Sequence, residues 1–271
     1  MTRLLPAVAL ASLVGALAAC EKNAAQRIDA PTTGAYVKFY NEGINAPGVN
    51  FFANDQKVTA VSSTSCTVPT DARCTTTGIE TLTGTTYGNQ AIAGLYATID
   101  PGTYTLSARI APATDNGVVS SQLANVTLEA GKYYSVFQSG FYTATGTPRA
   151  DAFIVADAFP SDFDYTLARV RFVNASSNSQ PMTLWLKSTT TSDSAALATN
   201  VAYKSASQFV SVGPVPVNLT VRYAGSNTAM ITLSSITFTP GRTYTVVARG
   251  DMTVTSTTAA TRPILDNTTN R

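Results

Sequence analysis

The chain repeats itself once, and this constrains its fold more than any other feature. Val126, Gly131, Tyr134, Val136 and Gly140 fall in step, without a gap, with Ile236, Gly241, Tyr244, Val246 and Gly250. Upstream, Ala35, Val37, Phe39 and Asn41 match Ala168, Val170, Phe172 and Asn174. Phe51 and Phe52 match Leu184 and Trp185, and Leu106, Ala108 and Arg109 match Leu219, Val221 and Arg222. The order of the four blocks is the same in both halves. A repeat this long is a whole domain rather than one turn of a solenoid.

Each block alternates apolar with polar residues, the period of a strand with one wet face. Val37 and Phe39 face in while Lys38 faces out, and Leu106 and Ala108 face in while Arg109 faces out. Pro101-Gly102, Ala130-Gly131 and Pro240-Gly241 punctuate the runs as turns. The expected fold is all-β: two tandem immunoglobulin-like antiparallel β-sandwich domains, 34–160 and 161–271. In the shared Gly-x-x-Tyr-x-Val element, Tyr134 and Tyr244 point inward just after a turn. A buried phenol needs a partner, and bonding back across the turn would supply one.

Residues 1–19 read as an export signal rather than as part of a domain. Arg3 precedes an apolar run from Leu4 to Ala19, too short to make a good membrane span. The run ends in Leu17-Ala18-Ala19-Cys20, which resembles a bacterial lipobox. That resemblance implies acylation of Cys20, a lipoprotein signal peptide over 1–19 and a polar tether over 20–33. Several acyl chains together hold a protein on a bilayer stably. The expected location is the bacterial cell envelope, lipid-anchored. Glu21 in place of Asp after the cysteine favours the outer membrane, facing the periplasm or the cell surface.

Asn174-Ala-Ser at the end of one strand, the apolar strand after Pro181, and Thr-Pro-Gly241-Arg-Thr-Tyr244-Thr-Val246 resemble the domain of unknown function family 4397. The resemblance covers 167–250 well and 34–140 more loosely. It implies a secreted or lipid-anchored bacterial β domain and carries no activity with it.

Between Ala53 and Tyr104 the first half runs about twenty residues longer than the second does between Leu186 and Val217. This insertion holds Cys66 and Cys74. With Cys20 given to lipid, two thiols remain in an exported chain, and they read as a disulfide, with two free thiols as the alternative. Asp151, Asp157, Asp162 and Asp164 gather at the junction of the halves. They read as a solvated linker, with calcium chelation as the sharper alternative.

The 271 residues contain no histidine, which removes Ser-His-Asp and Cys-His nucleophile systems. The sequence holds no Gly-x-Ser-x-Gly elbow, no Ser-x-x-Lys pair, no phosphate loop and no dinucleotide fingerprint. No cofactor or metal is expected. A net charge of +2 gives no basic face for nucleic acid. Alternation places Tyr36, Tyr40, Phe52, Tyr133 and Phe137 outward in the first half, and Trp185 in the second. Grouped outward aromatics mark either a recognition surface or the contact between two domains. The expected function is a non-enzymatic envelope module that binds or scaffolds a glycan or protein partner. The rival is an envelope hydrolase with its site in the first-domain insertion.

Overall fold

The computed structural model describes residues 33–59, 74–75, 78–79, 83–111, 117–162 and 164–271. Cys20 and Cys66 lie outside them, and of Cys74 only the backbone is described, so lipidation and the disulfide remain expectations.

The first sandwich is formed by β1 (Ala35–Asn41), β2 (Val49–Ala53), β3 (Gln56–Lys57), β6 (Asn89–Gln90), β7 (Ala97–Ile99), β8 (Gly102–Ile110), β9 (Val119–Leu128), β10 (Tyr133–Ser139) and β11 (Asp151–Ala156). A separate two-stranded ribbon, β4 (Cys74–Thr75) with β5 (Gly78–Ile79), lies in the insertion. The second sandwich is formed by β12 (Ala168–Asn174), β13 (Met182–Ser188), β14 (Ser194–Val201), β15 (Ser205–Ala206), β16 (Val210–Val212), β17 (Val217–Tyr223), β18 (Ile231–Ile236), β19 (Thr243–Arg249) and β20 (Ile264–Thr269).

The two copies share one topology. In the first, the sheet β11-β10-β1, completed by β6 and β7, packs on β3-β2-β8-β9. In the second, β20-β19-β12, completed by β15 and β16, packs on β14-β13-β17-β18. The expectation of antiparallel sheets holds except at one pair in each copy. β1 runs parallel to β10, and β12 runs parallel to β19. A parallel pair cannot be closed by a hairpin, and here the whole second sheet serves as the crossover.

Alternation places the cores as expected. Val37, Phe39, Phe51, Leu106 and Val136 fill the first. Val170, Phe172, Leu184, Leu219 and Val246 fill the second. Tyr134 and Tyr244 point inward, and each phenol oxygen accepts a backbone N–H from five residues upstream. Glu129 N–H donates to Tyr134 Oη at 3.2 Å, and Thr239 N–H donates to Tyr244 Oη at 3.2 Å. The turn just ahead of each Tyr uses a left-handed glycine, Gly131 at φ +73° and Gly241 at φ +74°, a conformation that costs glycine little.

Candidate functional site

The outer faces of the β1-containing and β12-containing sheets pack on each other, and this decides the fate of the outward aromatics. Tyr40, Phe137 and Phe153 form a third apolar cluster with Val173, Ala175 and Val247 of the second sandwich. Tyr40 stacks on Phe137 at 4.4 Å and Phe137 on Phe153 at 4.6 Å. Fully burying rings of this size stabilises by roughly 1.5–3 kcal/mol each. The proposed binding face over Tyr36, Tyr40, Phe52, Phe137 and Trp185 is therefore corrected. Tyr40 and Phe137 are the inter-domain contact, and Tyr36 is half-buried against Tyr133 at 4.5 Å. Phe52 lies on the opposite sheet, buried beneath Arg109 at 4.3 Å and Lys57 at 5.4 Å. Trp185 sits half-buried on the far sheet of the second sandwich under Arg222. These five side chains do not share one surface.

The junction is solvated at Asp162 and Asp164, as expected, but the polar part of the interface takes up Asp157. Arg171 on β12 is 1% exposed and forms an ion pair with buried Asp157 from the segment after β11. Its other donors reach Thr245 Oγ1 at 3.0 Å, the Ala156 carbonyl at 3.1 Å and Ser135 Oγ at 3.2 Å. Asp157 also accepts from Tyr96 Oη at 2.6 Å and from Ser135 Oγ at 2.9 Å. Every partner of the pair is thus hydrogen-bonded, as a buried ion pair requires. Asp151 is taken by Tyr203 at 2.9 Å and Lys204 at 3.2 Å. Among the described residues, no three acidic or thiol side chains converge as a metal site.

Where the linker leaves this interface it floors a cleft of about 660 Å³. The turns at Gly131 and Gly241 form its walls, with Lys132, Tyr133, Tyr165 and Arg271 around them. Phe159 is the floor. Its ring meets Tyr133 at 5.2 Å and Phe209 at 5.3 Å, and the Arg271 guanidinium lies over it at 4.2 Å. Tyr165 stands 77% exposed at the rim. The size is that of a small-ligand site, and it offers ring surface beside cations. Of these residues, outward alternation identified only Tyr133. Phe159 and Tyr165 lie in the junction and Arg271 after the last strand, where no period assigns a face. The signal was a run of rings, Phe159, Phe163 and Tyr165, set among the acids of the junction.

Architecture and cleft define a tandem β-sandwich protein in which two copies of one domain meet through their equivalent sheets. The model of the family described as Domain of unknown function (DUF4397) matches twice, over residues 35–185 and 168–271, and the chain belongs to that family. Among solved structures, a candidate cell adhesion protein from Bacteroides ovatus is similar at 12% identity and a TM-score of 0.24, covering 89% of this chain and 97% of its own. No curated protein matches the chain.

Proposed function

We propose that this chain is a non-catalytic module of the bacterial cell envelope, held by lipid at Cys20, that binds a glycan or protein partner at the linker cleft. The observation that carries the reading is the cleft itself: exposed Tyr165, half-buried Tyr133 and Phe159, and the cations of Lys132 and Arg271 converge where two domains meet. Domain junctions are favoured places for ligand sites. The packed aromatic face is spent on holding the halves together, which leaves the cleft as the concave aromatic surface open to a ligand. The lipobox supports the anchor, and the polar stretch 20–33 would hold the domains off the bilayer.

Two measurements test this. Purified protein is titrated against peptidoglycan fragments, envelope polysaccharide and an envelope protein extract, alongside Tyr165→Ala and Lys132→Glu. Saturable binding that weakens about tenfold in both variants is expected; wild-type binding unchanged in both, or no binding to any fraction, would overturn the site. Separately, Cys20→Ala should move the protein from the membrane fraction to the soluble one, and retention in the membrane would refute the anchor.

A further inference from the structure

The interface between the sandwiches is built almost as a homodimer would be. Equivalent strand positions follow from the two registers. Lys38 pairs with Ser135 and Arg171 with Thr245, while Ala156 lies beside Tyr134 and Thr269 beside Tyr244. Lys38 and Arg171 are therefore counterparts, and so are Asp157 and Asn270. Across the interface, Lys38 Nζ donates to the Thr269 carbonyl at 2.9 Å, and Arg171 donates to the Ala156 carbonyl at 3.1 Å. Tyr203 contacts Ser139 at 2.8 Å, and its counterpart Tyr87 lies under Arg249, the counterpart of Ser139, at 4.8 Å. Each sandwich thus offers the other the same patch, the geometry of an isologous contact.

Two places break the symmetry. At the first, Arg171 meets the carboxylate of Asp157 whereas Lys38 meets the neutral Asn270. The second lies at Glu42. Glu42, just after β1, is fully buried, and Arg249 Nε of the second sandwich lies 3.3 Å from its carboxylate. The counterparts of these two residues are Ala175 and Ser139, both buried and neither charged. Arg249 also forms an ion pair with Asp266 of its own sheet, while the Glu42 carboxylate has no hydrogen bond and, among the described residues, only this cation.

We propose that the outer face of each sandwich is a docking surface selective for the unlike domain of this same family, and that Glu42 with Arg249 bars the first domain from pairing with itself. The first-domain face accepts a second-domain face, from its own chain or a neighbouring copy, and rejects a copy of itself. In a first-on-first pairing Lys38 would meet Asp157, a tolerable partner, but each Glu42 would be buried against Ser139 with no cation. In a second-on-second pairing Arg249 would meet Ala175 and keep Asp266, but each Arg171 would meet Asn270 and lose its carboxylate. Each like pairing therefore strands a buried charge, an arrangement that specifies by penalising the wrong partner.

The test keeps the full chain. A protease recognition sequence is inserted between Pro160 and Ser161, the purified protein is cut, and the halves are followed by sedimentation and native mass spectrometry. The cut wild type should remain a 1:1 complex at about 10 μM, with no first-half dimer. Arg249→Ser should raise the dissociation constant about thirtyfold or more, and adding Glu42→Ala should recover most of the loss. Glu42→Gln, with Arg249 intact and the shape kept, should let first halves pair with each other. Halves that separate at that concentration, a double variant no tighter than Arg249→Ser, or first-half dimers with Glu42 intact would each overturn the proposal. If Arg249→Ser lowers the yield of folded uncut chain, the Glu42→Gln arm decides alone: first-half dimers support the proposal and their absence sinks it.

Discussion

Lys38 and Arg171 occupy the same position in the two repeats, and each reaches across the interface to the strand end of the other sandwich. Their surroundings differ. Arg171 meets a carboxylate, Asp157, and is hydrogen-bonded on all sides. Lys38 meets a carbonyl at 2.9 Å and the Asn270 amide oxygen at 3.4 Å, with Tyr96 beneath it at 4.7 Å. Removing one partner from a buried ion pair strands the other, whereas removing an unpaired buried cation also removes its desolvation cost. Arg171→Met should therefore cost about 3–5 kcal/mol in urea unfolding, and Lys38→Met should fall within about 1 kcal/mol of wild type. Equal losses in the two variants would contradict this account.

The same burial sets a pH dependence. Desolvation lowers the Lys38 amine from its ordinary 10.5 to about 8, with Asp157 opposing the shift and Arg171 adding to it. Between those two values the unfolded chain holds more protons than the folded one, so stability rises with pH across that window. The full rise is about 3 kcal/mol. Glu42 slopes the other way. Burial, reinforced by Asp266 and opposed by Arg249, holds its carboxyl well above 4.5, so the folded state keeps a proton the unfolded state has lost. Stability should fall as pH climbs from that value through the Glu42 transition. Unfolding free energies measured from pH 4 to 11 check both slopes, and Lys38→Met should flatten the alkaline one only.

Gly250 and Gly140 are counterparts that should not tolerate alanine equally. Both are left-handed, at φ +101° and +77°. A Cβ at Gly250 would overlap the Arg262 carbonyl, part of the backbone, while one at Gly140 would meet the Asp151 side chain at 3.2 Å. Side chains can give way where backbone cannot. Gly250→Ala should cost on the order of 1–3 kcal/mol and lower the melting temperature more than Gly140→Ala does.

Period-2 alternation made the strands and both cores legible, because a residue buried inside a sandwich has to be apolar on every second position. It also assigned Tyr40, Phe137 and Lys38 to the outer face of their sheet, where they lie. What alternation cannot encode is what covers an outer face. A lysine there reads as solvated, yet Lys38 is fully buried because a second sandwich lands on it. Asp157 read as linker for the same reason: its partner Arg171 is remote in space until the halves dock. The cleft was hidden because Phe159, Tyr165 and Arg271 lie outside regular strands. The tyrosine corners, in contrast, are local, five residues from donor to acceptor, and could be anticipated from the repeat alone.

Those corners give a prediction that uses the duplication as its own control. Tyr134 and Tyr244 each accept one backbone N–H, at the same distance, from the turn that launches the parallel strand. Phenylalanine keeps the ring packing and deletes only the acceptor. The Glu129 N–H is exposed and can turn to water, while the Tyr244 site is part-buried. Tyr134→Phe should therefore cost about 0.5 kcal/mol and Tyr244→Phe about 1–2 kcal/mol, the higher figure reflecting a donor left partly desolvated. Amide hydrogen exchange separates this from a general loss of stability. Exchange at Thr239 should accelerate in Tyr244→Phe while the Glu129 amide is unchanged, and equal protection at Thr239 in variant and wild type would show that the bond does not hold the turn.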